Sequence, residues 1–341
     1  MFLLIDFSNC IEDISFSYSG SERKIALLYD NNKYMLKFAE KRSKVNDIDT
    51  SNVNNVFSEN IGCEIAKSMG LEVQETLVGV YKGELVVACK NFLNENERLN
   101  EFSWYLRKQY DSSDLNRTPQ WGQIINVIKT DSQLSTIITL AEDSYWDIFV
   151  LDALIGNFDR HAGNWGYVVD VNTGQIKPSP IYDCGSSLFP ALSELGMEKV
   201  LNNPEEILKR VYVFPNASLS VNRIKKVSYY EMLSSSYIDK CTQALHRLYE
   251  RIDINTIEEI INGKEYLSDI RKEFYVTILK SRKELIFDRA FYETKDGKYN
   301  IKNFDKIANE EDKTENSLKK ELIEDEKISA QTDDKSLENR K

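Results

Sequence analysis

The sequence predicts an α+β fold in which a small antiparallel sheet with one helix precedes a larger, mostly helical part. Three observations predict this order. The first hundred or so residues contain short runs of strand-forming residues separated by turn signals. From about Glu101 onwards, apolar residues recur at helical spacing. The chain has 341 residues, which is long enough for two lobes or domains.

The predicted sheet is built from five runs of residues. Residues 11–40 contain DISFSYS, KIALLYD and KYMLKFA, which are separated by GSER and by a turn at Asn31-Asn32. The runs VQETLVGVY and ELVVACK follow on either side of a turn at Lys82-Gly83. Because these connections are short, neighbouring strands are expected to pair antiparallel.

One helix is predicted inside this sheet region, from about Asn52 to Met69. Gly70 follows it as a plausible C′ residue, since glycine adopts the left-handed conformation that ends many helices. The apolar stripe of this helix consists of Val53, Val56, Phe57, Ile61 and Ile65.

A central buried helix that ends at Gly156 is predicted in SYWDIFVLDALIGN, residues 144–157, because apolar residues occupy all of its faces. Ser144 and Asp147 form a capping-box pattern at its start. The segments WGYVVDV and QIKPSPIYDCG, joined by the turn NTG, read as a hairpin that ends in a polar loop. Residues 204–293 then carry several amphipathic helices.

The chain therefore divides into three parts. Residues 1–92 are predicted to form the sheet-containing lobe, and residues 93–304 the helical lobe. Residues 305–341 are nearly all charged or polar, which predicts disorder, with one short helix near Leu318 to Ile328 as the alternative.

Composition limits the function classes. The net charge of −11, without a long basic block, argues against a nucleic-acid partner. The five scattered cysteines show no CxxC spacing, which favours a reducing compartment over a disulfide framework or a zinc site. No apolar stretch reaches 18 residues and the first residues lack the pattern of a signal peptide, so neither a membrane span nor a membrane partner is expected.

The densest chemical stretch is LIGNFDRHAGN, residues 154–164, directly after the predicted buried helix. Phosphoryl transfer needs an acid near the attacking hydroxyl and an amide and a carboxylate to hold Mg²⁺. Asp159 and Asn164 are five residues apart, and Asp183 begins an Asp-x-Gly tripeptide after the predicted hairpin. This is the order of catalytic and metal-binding residues in protein kinases.

A basic residue for the nucleotide phosphates is also present. Lys37 lies in the predicted strand YMLKFA, and YSGSERK precedes it between two strands, where a phosphate-covering loop would lie. For Lys37 taken alone, a strand-edge lysine whose stem packs on apolar neighbours is an equal alternative. Together with Asp159, Asn164 and Asp183, the phosphate-contacting role is favoured.

These motifs resemble the HipA-like serine/threonine kinases, and in particular the shorter single-chain branch of CtkA-like kinases. The resemblance covers residues 16–188 and is carried by FSYSGSERKIALLYDNNKYMLKFAEK, VFSENIGCEIAKSMGLEVQETLVGVYKGELVVACKNF, LDALIGNFDRHAGNWGYVVD and PIYDCGSSL. It implies a bilobal protein-kinase-like fold with ATP bound between the lobes. Residues 191–300 match only loosely, as a helical continuation.

The resemblance also implies a set of site residues. Asp159 corresponds to the catalytic base, Asn164 and Asp183 to the Mg²⁺ ligands, and Lys37 to the phosphate-contacting lysine. A glutamate of the helix is expected to pair with Lys37, for which Glu59 fits the family pattern better than Glu64. The remaining expected nucleotide contacts are Ala88, Cys89 and Lys90 of the adenine-contacting hinge, and Ser19, Gly20 and Ser21 of a phosphate loop that can itself become phosphorylated.

The sequence departs from ordinary protein kinases at two places. The loop 17–24 has a single glycine, Gly20, so the glycine-rich fingerprint is absent. No Ala-Pro-Glu follows Asp183, which puts an ordinary activation segment in doubt. Arg160 is expected either to contact substrate or to form a salt bridge within its loop, and His161 to hydrogen-bond loop backbone. Cys184 is expected to pack as a small hydrophobe, with no basic neighbour evident.

The predicted function is that of a kinase that uses ATP and Mg²⁺ to phosphorylate Ser or Thr in a protein, and that also phosphorylates itself in loop 17–24. The alternatives are a phosphatidylinositol or small-molecule kinase, or a non-catalytic nucleotide-binding module on a kinase scaffold. The resemblance implies an antitoxin or a host protein as a partner. It implies the bacterial cytosol as the location, with secretion as an effector as the alternative.

Overall fold

The chain begins with a curled six-stranded sheet that carries one helix, and nearly all of the remaining elements are helices. The structure is a computed structural model. It describes residues 4–13, 23–39, 55–112, 118–221, 226–235 and 237–295. All of these residues belong to one compact unit, and the predictions for residues 305–341 and for Ser19, Gly20 and Ser21 lie outside them.

The first sheet has the strand order β1-β5-β6-β4-β3-β2. Every neighbouring pair is antiparallel except β1 and β5, which are parallel. The strands are β1 (Ile5–Asp6), β2 (Ile11–Glu12), β3 (Lys24–Tyr29), β4 (Asn32–Phe38), β5 (Thr76–Tyr81) and β6 (Glu84–Lys90). The antiparallel sheet is confirmed by β3, β4, β5 and β6, which match four of the five predicted runs. The fifth run, DISFSYS, lies outside the described residues apart from Asp13, and β1 and β2 were not predicted.

The two tight hairpin turns of this sheet depend on left-handed backbone conformations. Lys82 and Gly83 have φ of 50° and 79°, at the place that the sequence predicts. The other turn lies at Asp30 and Asn31, with φ of 47° and 59°, so the prediction of Asn31-Asn32 was wrong by one residue. Asp and Asn both tolerate positive φ, so the run DNN alone does not fix which pair makes the turn.

The helix α1 (Asn55–Ser68) crosses one face of the sheet. Val56 of the helix packs with Val78, Val87 and Cys89 of the sheet. The helix ends as predicted at Gly70, whose φ is 71°, and the N–H of Leu71 donates to the carbonyl of Ala66. The opposite face of the sheet is covered by a second cluster, made of Phe7, Leu27, Tyr34, Leu36, Phe38, Tyr81, Val86 and Ala88.

The helical part follows β6. Its described helices are α2 (Phe102–Gln109), α3 (Trp121–Thr130), α4 (Ile138–Ile155), α5 (Glu194–Leu201), α6 (Pro204–Tyr212), α7 (Tyr229–Ser234), α8 (Asp239–Leu248), α9 (Ile254–Asn262), α10 (Asp269–Arg282) and α11 (Arg289–Lys295). A π-helical stretch, Lys283–Asp288, joins the last two. A three-stranded sheet, β7 (Glu97–Glu101), β8 (Gly166–Asp170) and β9 (Ile176–Pro178), has the order β7-β8-β9. The predicted hairpin is present as β8 and β9, whereas β7 was not predicted.

The central helix α4 is buried along most of its length, as its apolar sequence predicts. The predicted start at Ser144 was wrong, because the helix begins six residues earlier, at Ile138. The hydroxyl of Ser144 donates to the carbonyl of Ala141 within the helix, and Asp147 forms an ion pair with Arg247. Neither side chain is therefore a cap. None of the helices in the described ranges combines the length with the apolar character that a membrane span requires.

Candidate active site

The ammonium group of Lys37 lies where β4, α1 and the loop after β9 meet. Lys37 is paired in the sheet with Val87, and its side chain is buried. Its Nζ lies 3.1 Å from Oε2 of Glu59 and 2.8 Å from Oδ1 of Asp183. Glu64 instead pairs with Lys264, so the ambiguity between the two glutamates is resolved in favour of Glu59.

The opposite charges of Lys37 and Asp183 each favour the ionised form of the other group. Burial lowers the pKa of Lys37, but Asp183 and Glu59 outweigh this effect and hold its pKa well above the ordinary value. Burial likewise raises the pKa of Asp183, but the Lys37 ammonium outweighs it and lowers that pKa to about 2. We conclude that Lys37 and Asp183 are both charged near neutral pH, as a site for phosphates and a metal ion requires.

The Asp183 carboxylate gives a testable dependence of stability on pH. Because its pKa is lowered from 3.8 to about 2, the folded chain binds this proton less tightly than the unfolded chain. The ionised group therefore stabilises the fold above about pH 4, and that contribution is lost as the pH falls toward 2. In EDTA, Asp183→Asn should lower the urea unfolding midpoint at pH 5, and the difference from wild type should shrink toward pH 2. A difference that persists undiminished at pH 2 would contradict this account.

Asp183 is held in an unusual backbone conformation. Its φ is 60°, a left-handed value that non-glycine residues adopt mainly where the surroundings impose it. The next residue, Cys184, is fully buried against α1, where a Cβ added to Gly62 would lie 2.8 Å from the Cβ of Cys184. A glycine at position 62 thus allows the helix that carries Glu59 to approach the loop that carries Asp183.

The candidate catalytic loop starts where α4 ends. Gly156 ends the helix with a φ of 68°, as the sequence predicts. Asn157 then accepts the backbone N–H of Asp159 through Oδ1 at 3.1 Å and donates through Nδ2 to Asp152 at 3.1 Å. The Asp159 side chain is half-buried, and its backbone is fixed by a side chain that is itself buried.

Arg160 connects this loop to the rest of the site. Its buried guanidinium forms a bidentate ion pair with Asp152 of α4, at 2.8 Å from Nε and 3.0 Å from Nη2. Its Nη1 donates to the carbonyl of Asn164 at 2.9 Å and also to the carbonyl of Tyr182. Of the two interpretations that the sequence left open, the structure shows a salt bridge, and the partner is on the helix rather than in the loop.

Asn164 completes the loop. Its Nδ2 donates to the carbonyl of Asp159 at 2.8 Å. The other polar atom of the amide is Oδ1, an oxygen of the type that binds metal ions. One hydrogen-bonded network therefore joins the loop of Asp159 and Asn164 to the residue before Asp183, and Asp183 contacts Lys37. His161 accepts the N–H of Gly163 through Nδ1 at 3.0 Å, which confirms the predicted bond to loop backbone.

The three predicted hinge residues lie on β6, and they face different ways. Cys89 is on the same sheet face as Lys37, whereas the side chain of Ala88 belongs to the cluster on the opposite face. Lys90 pairs with Glu75 at 3.1 Å, and its backbone N–H donates to the carbonyl of Glu75 at 2.9 Å. Contact of these residues with adenine stays a prediction.

Asp152, the carboxylate that anchors Arg160 and Asn157, was not predicted from the sequence. The signal was present, since Asp152 is the charged residue in the otherwise apolar run IFVLDALIG, residues 148–156. A buried carboxylate in that position requires a cationic or hydrogen-bonding partner. The Arg160 guanidinium also lies 3.6 Å from the Cys184 sulfur, so the expectation of no basic neighbour was wrong.

One protein-family model and several known proteins are similar to this chain. The model of the HipA-like C-terminal domain family matches residues 16–253. The chain belongs to this family. The HipA-like resemblance inferred from the sequence motifs is therefore confirmed.

The chain is similar to the kinase CtkA in both sequence and structure. The chain is 38% identical over 287 residues to the serine/threonine-protein kinase CtkA of Helicobacter pylori strain J99, covering 84% of this chain and 87% of that one. The crystal structure of the H. pylori proinflammatory kinase CtkA matches with a TM-score of 0.80 and 35% identity, covering 87% of this chain and 99% of that chain. These matches confirm the kinase-like α+β fold.

A HipA protein has a similar fold at a much lower sequence identity. HipA of Shewanella oneidensis, solved with HipB and its operator DNA, matches with a TM-score of 0.50 and 15% identity. The match covers 82% of this chain and 66% of that chain.

The residues of this HipA-like site fit a nucleotide-bound Mg²⁺ ion. Mg²⁺ prefers oxygen ligands and commonly takes only one or two from protein, with phosphates and water supplying the others. The Asp183 carboxylate and the Oδ1 of Asn164 are oxygens of this type and are the groups that would hold such an ion. No cluster of three or more His, Cys, Asp or Glu side chains suited to a metal occurs in the described part of the chain, and a nucleotide-bound Mg²⁺ ion does not need one.

Proposed function

We propose that this chain is a kinase that transfers the γ-phosphoryl group of ATP to Ser or Thr hydroxyls of a protein. The observation that carries the proposal is the continuous network from Lys37 through Asp183 and Arg160 to Asn164 and Asp159. It links the residues proposed as the base, the two oxygen ligands and the phosphate-binding ammonium group, and these are the parts that phosphoryl transfer needs.

The proposed roles follow from the chemistry of each side chain. The Asp159 carboxylate accepts the proton of the substrate hydroxyl while that oxygen forms its bond to the γ-phosphorus. The bond between the γ-phosphorus and the β–γ bridging oxygen breaks, and ADP leaves with the electron pair. The Lys37 ammonium, held by Glu59, binds phosphate oxygens. Mg²⁺, held by Asp183 and Asn164, supplies positive charge against the charge on the phosphates when it is bound.

The surrounding residues position these groups before substrate arrives. Arg160 forms an ion pair with Asp152 of α4. The same guanidinium hydrogen-bonds the backbone of both loops, at the carbonyls of Tyr182 and Asn164. Positioning of this kind lowers the barrier because less ordering is required during the reaction.

Modification of the chain by itself is a further part of the proposal. Ser19 and Ser21 are the expected targets in loop 17–24, on the basis of the family resemblance alone. Incubation with ATP and Mg²⁺ followed by mass spectrometry would map any phosphorylated residue.

Substrate class is the first property to test. Purified full-length chain should transfer label from ATP to Ser or Thr of a generic protein in the presence of Mg²⁺. It should transfer none to phosphatidylinositol vesicles or to aminoglycosides assayed side by side. Replacing Lys37 with Met should reduce the transfer at least a hundredfold, because the phosphates lose their buried cation.

The matched control is Lys33→Met. Lys33 lies on the same strand, but it is exposed and pairs with Asp13, so transfer should be unchanged. Transfer to lipid or aminoglycoside alone would replace the proposal with one of the other kinase classes. Stabilisation of the chain by ATP and Mg²⁺ without any transfer would indicate a non-catalytic nucleotide-binding module.

A further inference from the structure

An apolar patch begins at the residue next to Asp159. It consists of Phe158, Phe189, Val213 and Phe214. The rings of Phe158 and Phe214 are 5.4 Å apart between centroids, and those of Phe214 and Phe189 are 6.1 Å apart. Three rings thus lie side by side, and the first belongs to Phe158, the residue that precedes the candidate catalytic base in the chain. The proposed transfer mechanism assigns no role to any of them.

The patch is more exposed than core aromatic clusters are. Phe214 is 47% exposed and Val213 is 57% exposed, while Phe158 and Phe189 are half-buried. Contiguous exposed apolar groups of this kind commonly mark sites of interaction with another molecule. Exposure alone does not identify that molecule. The patch includes the residue that precedes Asp159, which favours a substrate of the proposed kinase as the bound molecule.

The backbone holds the patch in place from three segments. The carbonyl of Phe158 accepts the hydroxyl of Ser218 at 2.9 Å, and the N–H of Phe214 donates to the carbonyl of Lys209 at 3.0 Å. Leu188 and Phe189 have φ of 55° and 56°, two consecutive left-handed residues that are not glycine. Such strained conformations persist where the surrounding structure imposes them, and they concentrate at functional sites.

We infer that the patch binds a large apolar side chain that lies beside the phosphorylated Ser or Thr of a polypeptide substrate. The inference rests on the proposed protein kinase activity and specifies its substrate. A hydroxyl that reaches Asp159 brings its neighbouring residues over the surface around Asp159, and Phe158, which is covalently joined to Asp159, belongs to the patch.

The dimensions support a short peptide segment. An extended chain advances about 3.3 Å per residue. A segment of three or four residues therefore covers the row of rings from Phe158 through Phe214 to Phe189. Alternate side chains of such a segment point to the same side, so one or two of them would contact the patch. The recognition expected is thus of one or two apolar positions near the acceptor.

The test is a set of peptides with one fixed Ser and one varied position at a time, from four residues before to four residues after it. The full-length chain with ATP and Mg²⁺ should phosphorylate peptides with Leu, Ile, Met or Phe at one flanking position at least tenfold faster than peptides with Gly or Asp there. Val213→Asp and Phe214→Ser should each reduce that preference at least fivefold. Both variants should leave the KM for ATP and the rate on the Gly peptide unchanged.

The matched control is Val171→Asp. Val171 is 56% exposed, almost the same as Val213, but it lies directly after β8. It should leave both the rate and the preference intact. Because the Gly peptide reports folding and chemistry within the same variant, a variant that fails on every peptide is replaced by the milder Val213→Ser.

The outcomes separate the inference from the proposed function. Phosphorylation without any apolar preference, or a preference that survives both Val213→Ser and Phe214→Ser, would overturn the inference and leave the kinase intact. No phosphorylation of any peptide or protein would overturn the proposed function itself. Loss of self-association in the Val213 variants, with peptide preference unchanged, would show that the patch binds a second copy instead and would also overturn the inference.

Discussion

Replacing Asp159 with Asn should reduce the rate of phosphoryl transfer by a factor of about 10² to 10⁴, the usual contribution of a general base. Asn is nearly the same size and cannot accept the hydroxyl proton as a base. The bonds that fix the loop use the backbone N–H and carbonyl of Asp159, and these remain in the variant. The measurement is kcat on a protein or peptide substrate, together with the thermal shift produced by ATP and Mg²⁺.

Nucleotide binding should survive this substitution. At about a hundredfold excess over its dissociation constant, the nucleotide adds roughly 2.7 kcal/mol to the free energy of unfolding, and Asp159→Asn should retain this. Asp170→Asn is the control, because Asp170 lies at the turn of the β8–β9 hairpin and should leave kcat unchanged. Full turnover by the Asp159→Asn chain would refute the assignment of the base.

Replacing Asp152 with Ala should lower the free energy of unfolding by about 3–5 kcal/mol. The substitution leaves the buried Arg160 guanidinium without its bidentate carboxylate. Burial opposes ionisation of Asp152, and the adjacent Arg160 offsets part of that effect, although the pKa of Asp152 remains raised. An uncompensated buried charge is among the most destabilising single changes in proteins. Urea unfolding monitored by circular dichroism would measure the loss.

The same helix supplies the control for this substitution. Asp147→Ala removes the ion pair with Arg247, whose two side chains are partly exposed, and should cost about 1 kcal/mol or less. The double variant Asp152→Leu with Arg160→Met should recover part of the stability, because it removes both charges together. Equal losses for Asp152→Ala and Asp147→Ala would show that the buried pair has no special role in the fold.

Local sequence signals located the ends of elements best where one backbone conformation was required. Gly70, Gly83 and Gly156 were each predicted at a turn or helix end, and each has a positive φ. The start of α4 was missed because the pattern of Ser144 and Asp147 resembles a cap, although both lie inside the helix. Their actual partners are a carbonyl one turn back and an arginine a hundred residues away. A local pattern contains no information about the distant partner.

The candidate site was predictable to the extent that its chemistry is local in sequence. The spacing of Asp159, Asn164 and Asp183 was sufficient to propose their roles. The choice between Glu59 and Glu64 was not, because both lie on the same helix and only the packing against the sheet decides which one reaches Lys37. The apolar patch was also invisible in the sequence, since Phe158, Phe189 and Phe214 come together only through the folding of three separate segments.

The buried pair of Asp152 and Arg160 also restricts how this sequence can evolve. A single mutation that removes either charge would lower the free energy of unfolding by about 3–5 kcal/mol. This is a large share of the roughly 5–15 kcal/mol by which domains are typically stable. Descendants of this chain should therefore keep both residues, or exchange both after other mutations have raised stability. In selection experiments, substitutions at positions 152 and 160 are expected to appear together rather than singly.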